Sequence, residues 1–362
     1  MGLEIKLTDR EFPFSPYFID FLYRFLKNEA WSSDWHEQLQ EAKSKQPGEE
    51  MRRAQAVLPE IMQDPAAQRA IQRSYDLFIA ILVGTAEKLA SVHNRFKFIA
   101  VVGIPRSGGS YLTKQLYRAI GMEAKKVPRV IAHDGFPDTS PFVLINGFNS
   151  LTRMTQRMAE YLCMVELYFA NARSYEGRII VPKKAATAPY HGAFFNSMLG
   201  PATEYLITLR HPVAACISSY EKFGGGLPAN GKFSVRGGLE IWIVRDNVFT
   251  TGESEASILS KDYFDVYLRF WEQYHHNLAL TGLSANRHWT VVPYTEQAMT
   301  RTAQNIYDRF GHSATVEPFR VFDKHDRHPE WYSKAEQAIL RVRDVWSSVG
   351  LQFPVEEIML GW

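Results

Sequence analysis

Cysteine is nearly missing from this 362-residue chain, which holds only Cys163 and Cys216. Neither belongs to a CxxC pair or a Cys/His cluster with zinc spacing, so a disulfide framework and a zinc finger are excluded. Both read as small buried residues of a reduced protein. A surplus of charge is missing too: 41 Lys+Arg less 39 Asp+Glu leaves a formal +2. No overall basic field exists to hold nucleic acid, and any anion site must be local. No run of about 18 apolar residues is present to span a membrane. The opening Met1-Gly-Leu-Glu-Ile-Lys6 lacks the pattern of a signal peptide, and Lys6 stands where a myristoylation site wants Ser or Thr. The expectation is a cytoplasmic protein with no nucleic-acid partner and no membrane span. Oligomeric state is not legible.

What is present is ordinary globular material, 46% hydrophobic, 22% charged and 13% aromatic. Residues 1–95 read as a helical cap region. Within it, Ile71, Tyr75, Phe78, Ile79, Leu82 and Leu89 recur at helical spacing between Ala67 and His93. The pattern changes at Phe96, and residues 96–362 read as an α/β domain. Phe98–Val102 is a continuous apolar run, as expected of a strand buried on both faces. Arg178–Val181 (ending at Pro182), Tyr205–Leu209 and Trp289–Val292 are further short runs. Helix-length sequence separates them, notably Thr152–Ala172 and Ser257–Leu280. Alternation of this kind predicts a central parallel sheet flanked by helices, with ligands beyond the carboxyl ends of the strands.

The first run passes directly into Gly103-Ile-Pro-Arg-Ser-Gly-Gly-Ser110, and a helical stretch follows, with Leu112, Leu116 and Ile120 on one face and Gly121 as its stop. A Gly-rich turn between strand and helix offers backbone N–H groups and a helix dipole to an anion. Ser107 and Ser110 add hydroxyls, Arg106 adds a fixed charge, and Gly103, Gly108 and Gly109 let the backbone approach closely. Gly103, Gly108 and Ser110 fit the G-x-x-x-x-G-K-[ST] spacing, but Gly109 stands where the lysine belongs. Without that lysine a nucleoside-triphosphate reaction loses a principal charge stabiliser. No apolar run ends in a carboxylate suited to a metal, so no metal site is expected. The loop reads as a phosphate binder poorly built for ATP.

Pro105-Arg-Ser-Gly-Gly-Ser-Tyr111 resembles the P-K-S-G-T-T-W loop of the sulfotransferases that use 3′-phosphoadenosine-5′-phosphosulfate (PAPS), with Arg for Lys, Gly-Ser for Thr-Thr and Tyr for Trp. Leu209-Arg-His-Pro-Val-Ala-Ala-Cys-Ile-Ser-Ser-Tyr220 resembles the same family's R-N-P-x-D-x-x-V-S-x-Y motif. His211 replaces Asn and Ala214 replaces Asp, while Arg210 and Ser218 keep the family's spacing, 218 − 210 = 8. The resemblance spans roughly residues 97–300. It implies a P-loop-like fold, a 5′-phosphosulfate held by Arg106 through Tyr111, and a 3′-phosphate held by Arg210 and Ser218. Tyr267–Tyr274, Trp289–Val292 and Tyr294-Thr-Glu296 are similar to the family's later helix, strand and turn. The family's carboxyl-terminal Arg-Lys-Gly segment is absent, and Arg320, Lys324 and Arg327 are the cations available in its place.

Sulfuryl transfer is an in-line displacement through a loose transition state, and by analogy with phosphoryl transfer it needs positioning and cations rather than a metal. The resemblance puts Arg106 at the loop-lysine position as first cation, and a second lysine at Lys183 or Lys184, with Lys184 preferred. Ala185 and Ala186 occupy the positions where the family carries its base. His191 and His133 are the two substitutes. Ile131–Asn149, with Phe136, Phe142 and Phe148, is the candidate lining for a small-molecule acceptor, hydrophobic or aromatic by composition. Phe223–Gly238 holds six glycines and reads as a lid or as a surface loop. The rival readings are a kinase-like nucleoside-triphosphate transferase and a non-catalytic nucleotide-binding protein of the same fold.

Overall fold

Strand β1 (Phe96–Val102) is buried at every residue but Lys97, as its unbroken apolar run requires. It belongs to a computed structural model that describes residues 14–44, 48–134, 136–137, 148–222, 238–286 and 288–361. The other strands are β2 (Ser174–Tyr175), β3 (Arg178–Lys184), β4 (Glu204–Leu209) and β5 (Trp289–Pro293), and the sheet order is β2-β3-β1-β4-β5. β1 with β4 and β4 with β5 pair in parallel, whereas β2 and β3 form an antiparallel hairpin. The hairpin turns on Glu176 and Gly177, whose φ values of 51° and 79° are the two left-handed residues of a type I′ turn. The fold is thus mixed α/β, mostly helical, with a mostly parallel sheet.

β3 does not end at Pro182 as predicted but runs on to Lys184. The Ala185 N–H bonds the Val101 carbonyl at 2.9 Å, so N–H groups an odd number of residues earlier point the other way. Pro182 therefore lacks its donor on the side where β2 pairs only Arg178 and Ile179, and no ladder bond is lost.

Contacts divide the chain into two compact units. The first comprises Met1–Lys97, Glu123–Thr139 and Val143–Lys183. Here the predicted 67–93 helix is two helices, Pro65–Leu82 and Ala86–Arg95, broken where Gly84 takes a φ of 68°. The apolar stripe faces inward only at Ile71 and Leu89. Tyr75, Ile79 and Leu82 are exposed, while Ala67, Ala70, Ile71, Ser74, Leu77 and Ala80 are buried. Small side chains let the helix Phe148–Tyr168 pack closely on that face.

The second unit comprises Phe98–Met122, Ser140–Phe142 and Lys184–Trp362. Its helix Gly109–Ala119 follows the glycine loop and closes as predicted at Gly121 (φ 77°), where Met122 N–H bonds back to Tyr117 at 2.9 Å. The predicted 257–280 helix is interrupted, because Asp262 caps a new helix, Tyr263–Leu280, by accepting from Phe264 N–H at 2.9 Å. Trp271 in that helix is fully buried and donates to the Arg210 carbonyl at 3.0 Å, fixing the end of β4. No described helix is long and apolar enough to cross a membrane.

Candidate functional site

The loop leaves β1 at a place where only glycine fits. A Cβ on Gly103 would lie 2.0 Å from Thr208 Oγ1 and 2.6 Å from the Thr208 carbonyl, which belongs to the neighbouring β4. Gly108 sits at a φ of 90°, and a side chain there would strike Met299. Ser107 is buried and spent on the loop itself: its hydroxyl bonds the Ile104 carbonyl and Thr208 Oγ1, each at 2.7 Å. Ser110 and Tyr111 lie in the first turn of the helix Gly109–Ala119. The Tyr111 ring packs on Phe319 at 4.7 Å between centroids. Burial raises the Tyr111 phenol above its ordinary range.

Arg106 takes the left-handed φ of 72°, uncommon for a residue with a side chain. Two contacts hold it there. Its Nε donates to Ser218 Oγ at 3.1 Å, and its carbonyl accepts from an Arg210 guanidinium nitrogen at 2.8 Å. Residues separated by 112 positions therefore meet, and the two anion motifs are one locus. The Arg106 fork, expected beside the transferring group, is turned to the Ser218 end.

Arg210 is 2% exposed and lies over the Tyr294 ring at 4.1 Å. Burial pulls its pKa below the arginine range, and the charge of Arg106 adds to that. Its Nε has no hydrogen-bond partner among the described residues. None of Arg106, Arg210 and Arg320 has a carboxylate within ion-pair distance among them. His211 is buried, and burial lowers its pKa to about 3, so it is neutral at ordinary pH.

A cavity of about 600 Å³ opens on these groups. Its lining holds Arg106, Arg210, Arg320, Lys324 and Arg327 against Glu221 and Asp323, 5 − 2 = 3 net positive charges. Ser218, Tyr294, Phe319 and the exposed Phe322 complete it. Three of the cations ride on or beside a strap, residues 316–324, that has no helix or strand of its own. The strap is tied to the helix Glu296–Arg309 by side-chain acceptors. Gln304 accepts from Val316 N–H at 3.1 Å, Thr300 from Phe319 at 2.9 Å and Glu296 from Val321 at 3.0 Å.

The two lysines of β3 separate. Lys183, in the first unit, donates to the carbonyls of His133 (2.8 Å) and Phe136 (2.5 Å) and lies over the Tyr161 ring. Lys184, in the second unit and 8% exposed, lays its side chain against Gly109, where an added Cβ would meet its Cε at 3.0 Å. His191 closes the short turn Ala188–His191 ahead of the helix Gly192–Leu199. His133 belongs to the first unit, edge-on to Trp35 at 5.3 Å and 3.7 Å from an Asp134 oxygen. Most of the predicted acceptor lining and the glycine-rich 223–237 segment lie outside the described residues.

Sequence reasoning missed Glu221 and Phe319. Glu221 had a signal, since it follows Ser218 by one helical turn and so shares its face. Phe319 had none. Sequence reasoning also missed Asp246, buried beside Tyr190, whose hydroxyl donates to it at 2.7 Å. No protein-family model matches the chain, and no curated protein matches it either.

Proposed function

We propose that the chain is a sulfotransferase of P-loop-like fold that moves a sulfuryl group from PAPS to a hydroxyl or amine of a small molecule. The observation that carries this reading is Arg210, buried with no carboxylate partner among the described residues and opening with Arg106 and Ser218 on a cationic cavity. A buried guanidinium without a counter-charge is costly unless an anion completes it. In this reading the 3′-phosphate of the donor lies at Arg210, Ser218 and Arg106, with the strap cations beyond. A 3′-phosphate also separates PAPS from ATP.

The 5′-phosphosulfate goes to the loop, where the first N–H groups of the helix Gly109–Ala119 and the adjacent Lys184 meet charge developing on the bridging oxygen. The acceptor oxygen attacks sulfur, the bond from sulfur to the phosphate oxygen breaks, and the 3′,5′-bisphosphate (PAP) leaves. The acceptor's proton passes to His191, which shares its unit with Lys184 and the loop.

Calorimetric titration with PAP, and with ATP and magnesium, tests the donor; single-turnover transfer from labelled PAPS to a panel of hydroxyl acceptors tests the reaction. PAP is expected to bind and ATP to bind far more weakly. Tight PAP binding with no transfer to any acceptor would leave a binding protein and remove the enzyme. Arg210→Ala is expected to weaken PAP by about 100-fold, from the loss of a charged bidentate contact worth roughly 3 kcal/mol. Adenosine 5′-phosphosulfate, which has no 3′-phosphate, should lose much less; equal losses would remove Arg210 from this role.

A further inference from the structure

Among the described residues, Glu221 is the carboxylate that pairs with the cavity's cations. It sits one turn past Ser218 on the helix Pro212–Lys222, accepts from Lys324 Nζ at 2.5 Å and pairs with the Arg327 guanidinium. Lys324 is buried and Arg327 exposed, and both line the cavity with Arg106, Arg210 and Ser218. The other acid of the lining, Asp323, is occupied differently, accepting from the His325 backbone N–H at 2.8 Å. Glu221 therefore holds two of the five cations that a polyanion entering the cavity would use.

We infer that Glu221 is a built-in competitor: a ligand phosphate displaces its carboxylate from Lys324 and Arg327, and this exchange sets how tightly the polyanion is held and how fast it leaves. The inference rests on reading the cavity as an anion site. A phosphate dianion carries more charge and more acceptor oxygens than one carboxylate, so it wins the exchange, but against a standing opponent. Each turnover of the proposed reaction ends with a bisphosphate in this cavity. A resident carboxylate that reclaims the strap speeds its departure.

The test is calorimetric titration of wild type and Glu221→Gln with two probes, inorganic pyrophosphate and PAP. Glutamine keeps the size and removes the charge, taking the lining from 5 − 2 = 3 to 5 − 1 = 4 net positive charges. The expected result is roughly three- to tenfold tighter binding of both probes, the range for losing two partly exposed ion pairs. PAP dissociation should slow by a similar factor in stopped flow. In a Lys324→Gln/Arg327→Gln background, Glu221→Gln should change neither probe's affinity. Equal or weaker binding by a Glu221→Gln protein that melts as wild type does would overturn the inference, by making Glu221 a tether. A tightening that persists in the double-substituted background overturns it as well. Pyrophosphate tightening with no PAP binding to either protein supports the competitor and removes the PAPS reading. Failure of both probes to bind either protein overturns both.

Discussion

Arg106 joins a strained backbone to a positive charge, and the two are separable by substitution. Its left-handed φ costs on the order of 1 kcal/mol, which the bonds to Ser218 and from Arg210 offset. Arg106→Gly should therefore keep or slightly raise the melting temperature while weakening PAP by about tenfold or more, because glycine accepts this φ freely. Lys184→Met, against the loop, should leave PAP affinity within about twofold and lower turnover by roughly 100-fold, the scale for a lost oxyanion donor. A turnover loss confined to the Arg106 variant would reverse the two assignments. The eight-residue spacing of Arg210 and Ser218 was legible because a strand end and two helical turns are local geometry. The contact between Arg106 and Ser218 was not, since it depends on how β1 and β4 pair. The preference for Lys184 over Lys183 had no visible geometry behind it. Neighbours on a strand face opposite ways, so the answer depended on β3 continuing through Pro182.

At the scale of elements, Glu296, Thr300 and Gln304 repeat every four residues and present one row of acceptors to an otherwise unsupported strap. Thr300→Val keeps the shape and removes the middle acceptor. It is expected to weaken PAP by about fivefold, the equivalent of one lost hydrogen bond. Exchange of the Phe319 amide, followed by hydrogen–deuterium exchange, should accelerate together with those of Val316 and Val321. Acceleration of Phe319 alone would show three independent ties rather than one strap. This row was invisible to pattern reading, which scores apolar spacing and assigns no partner to polar residues on a helix. The same blindness hid the inner face of Pro65–Leu82, where Ala67, Ala70, Ser74 and Ala80 pack inward with Ile71 and Leu77 while Tyr75, Ile79 and Leu82 lie outside. Apart from β2 and the end of β3, the strands were the readable part, because runs such as Phe98–Val102 and Tyr205–Leu209 are short, apolar and bounded by turn residues.

For the molecule as a whole, two buried carboxylates tie stability to pH. Glu160 accepts from the Ser15 N–H at 2.9 Å and from the Ser15 hydroxyl, holding the start of the helix Pro16–Leu26; burial raises its pKa to about 7. Burial raises Asp246 to about 7 as well, against the pull of the Tyr190 hydroxyl bond. Both folded values exceed the unfolded ones, so their contribution is complete below about pH 4 and lost as pH rises through about 7. Glu160→Gln and Asp246→Asn should each flatten the stability–pH curve between those limits, by on the order of 3 kcal/mol in urea unfolding. An unchanged curve would mean that neither group is buried in its charged form. The closeness of Arg210 to Arg106 has one more consequence, for the solvent in which the protein is handled. Two like charges held together are relieved by whatever small anion the buffer supplies. At equal ionic strength, melting in phosphate should exceed melting in chloride by a few degrees. In Arg210→Ala only the general salting-out increment of phosphate should remain. On that outcome the choice of buffer becomes a ligand concentration, and a thermal scan without it specified measures two quantities at once.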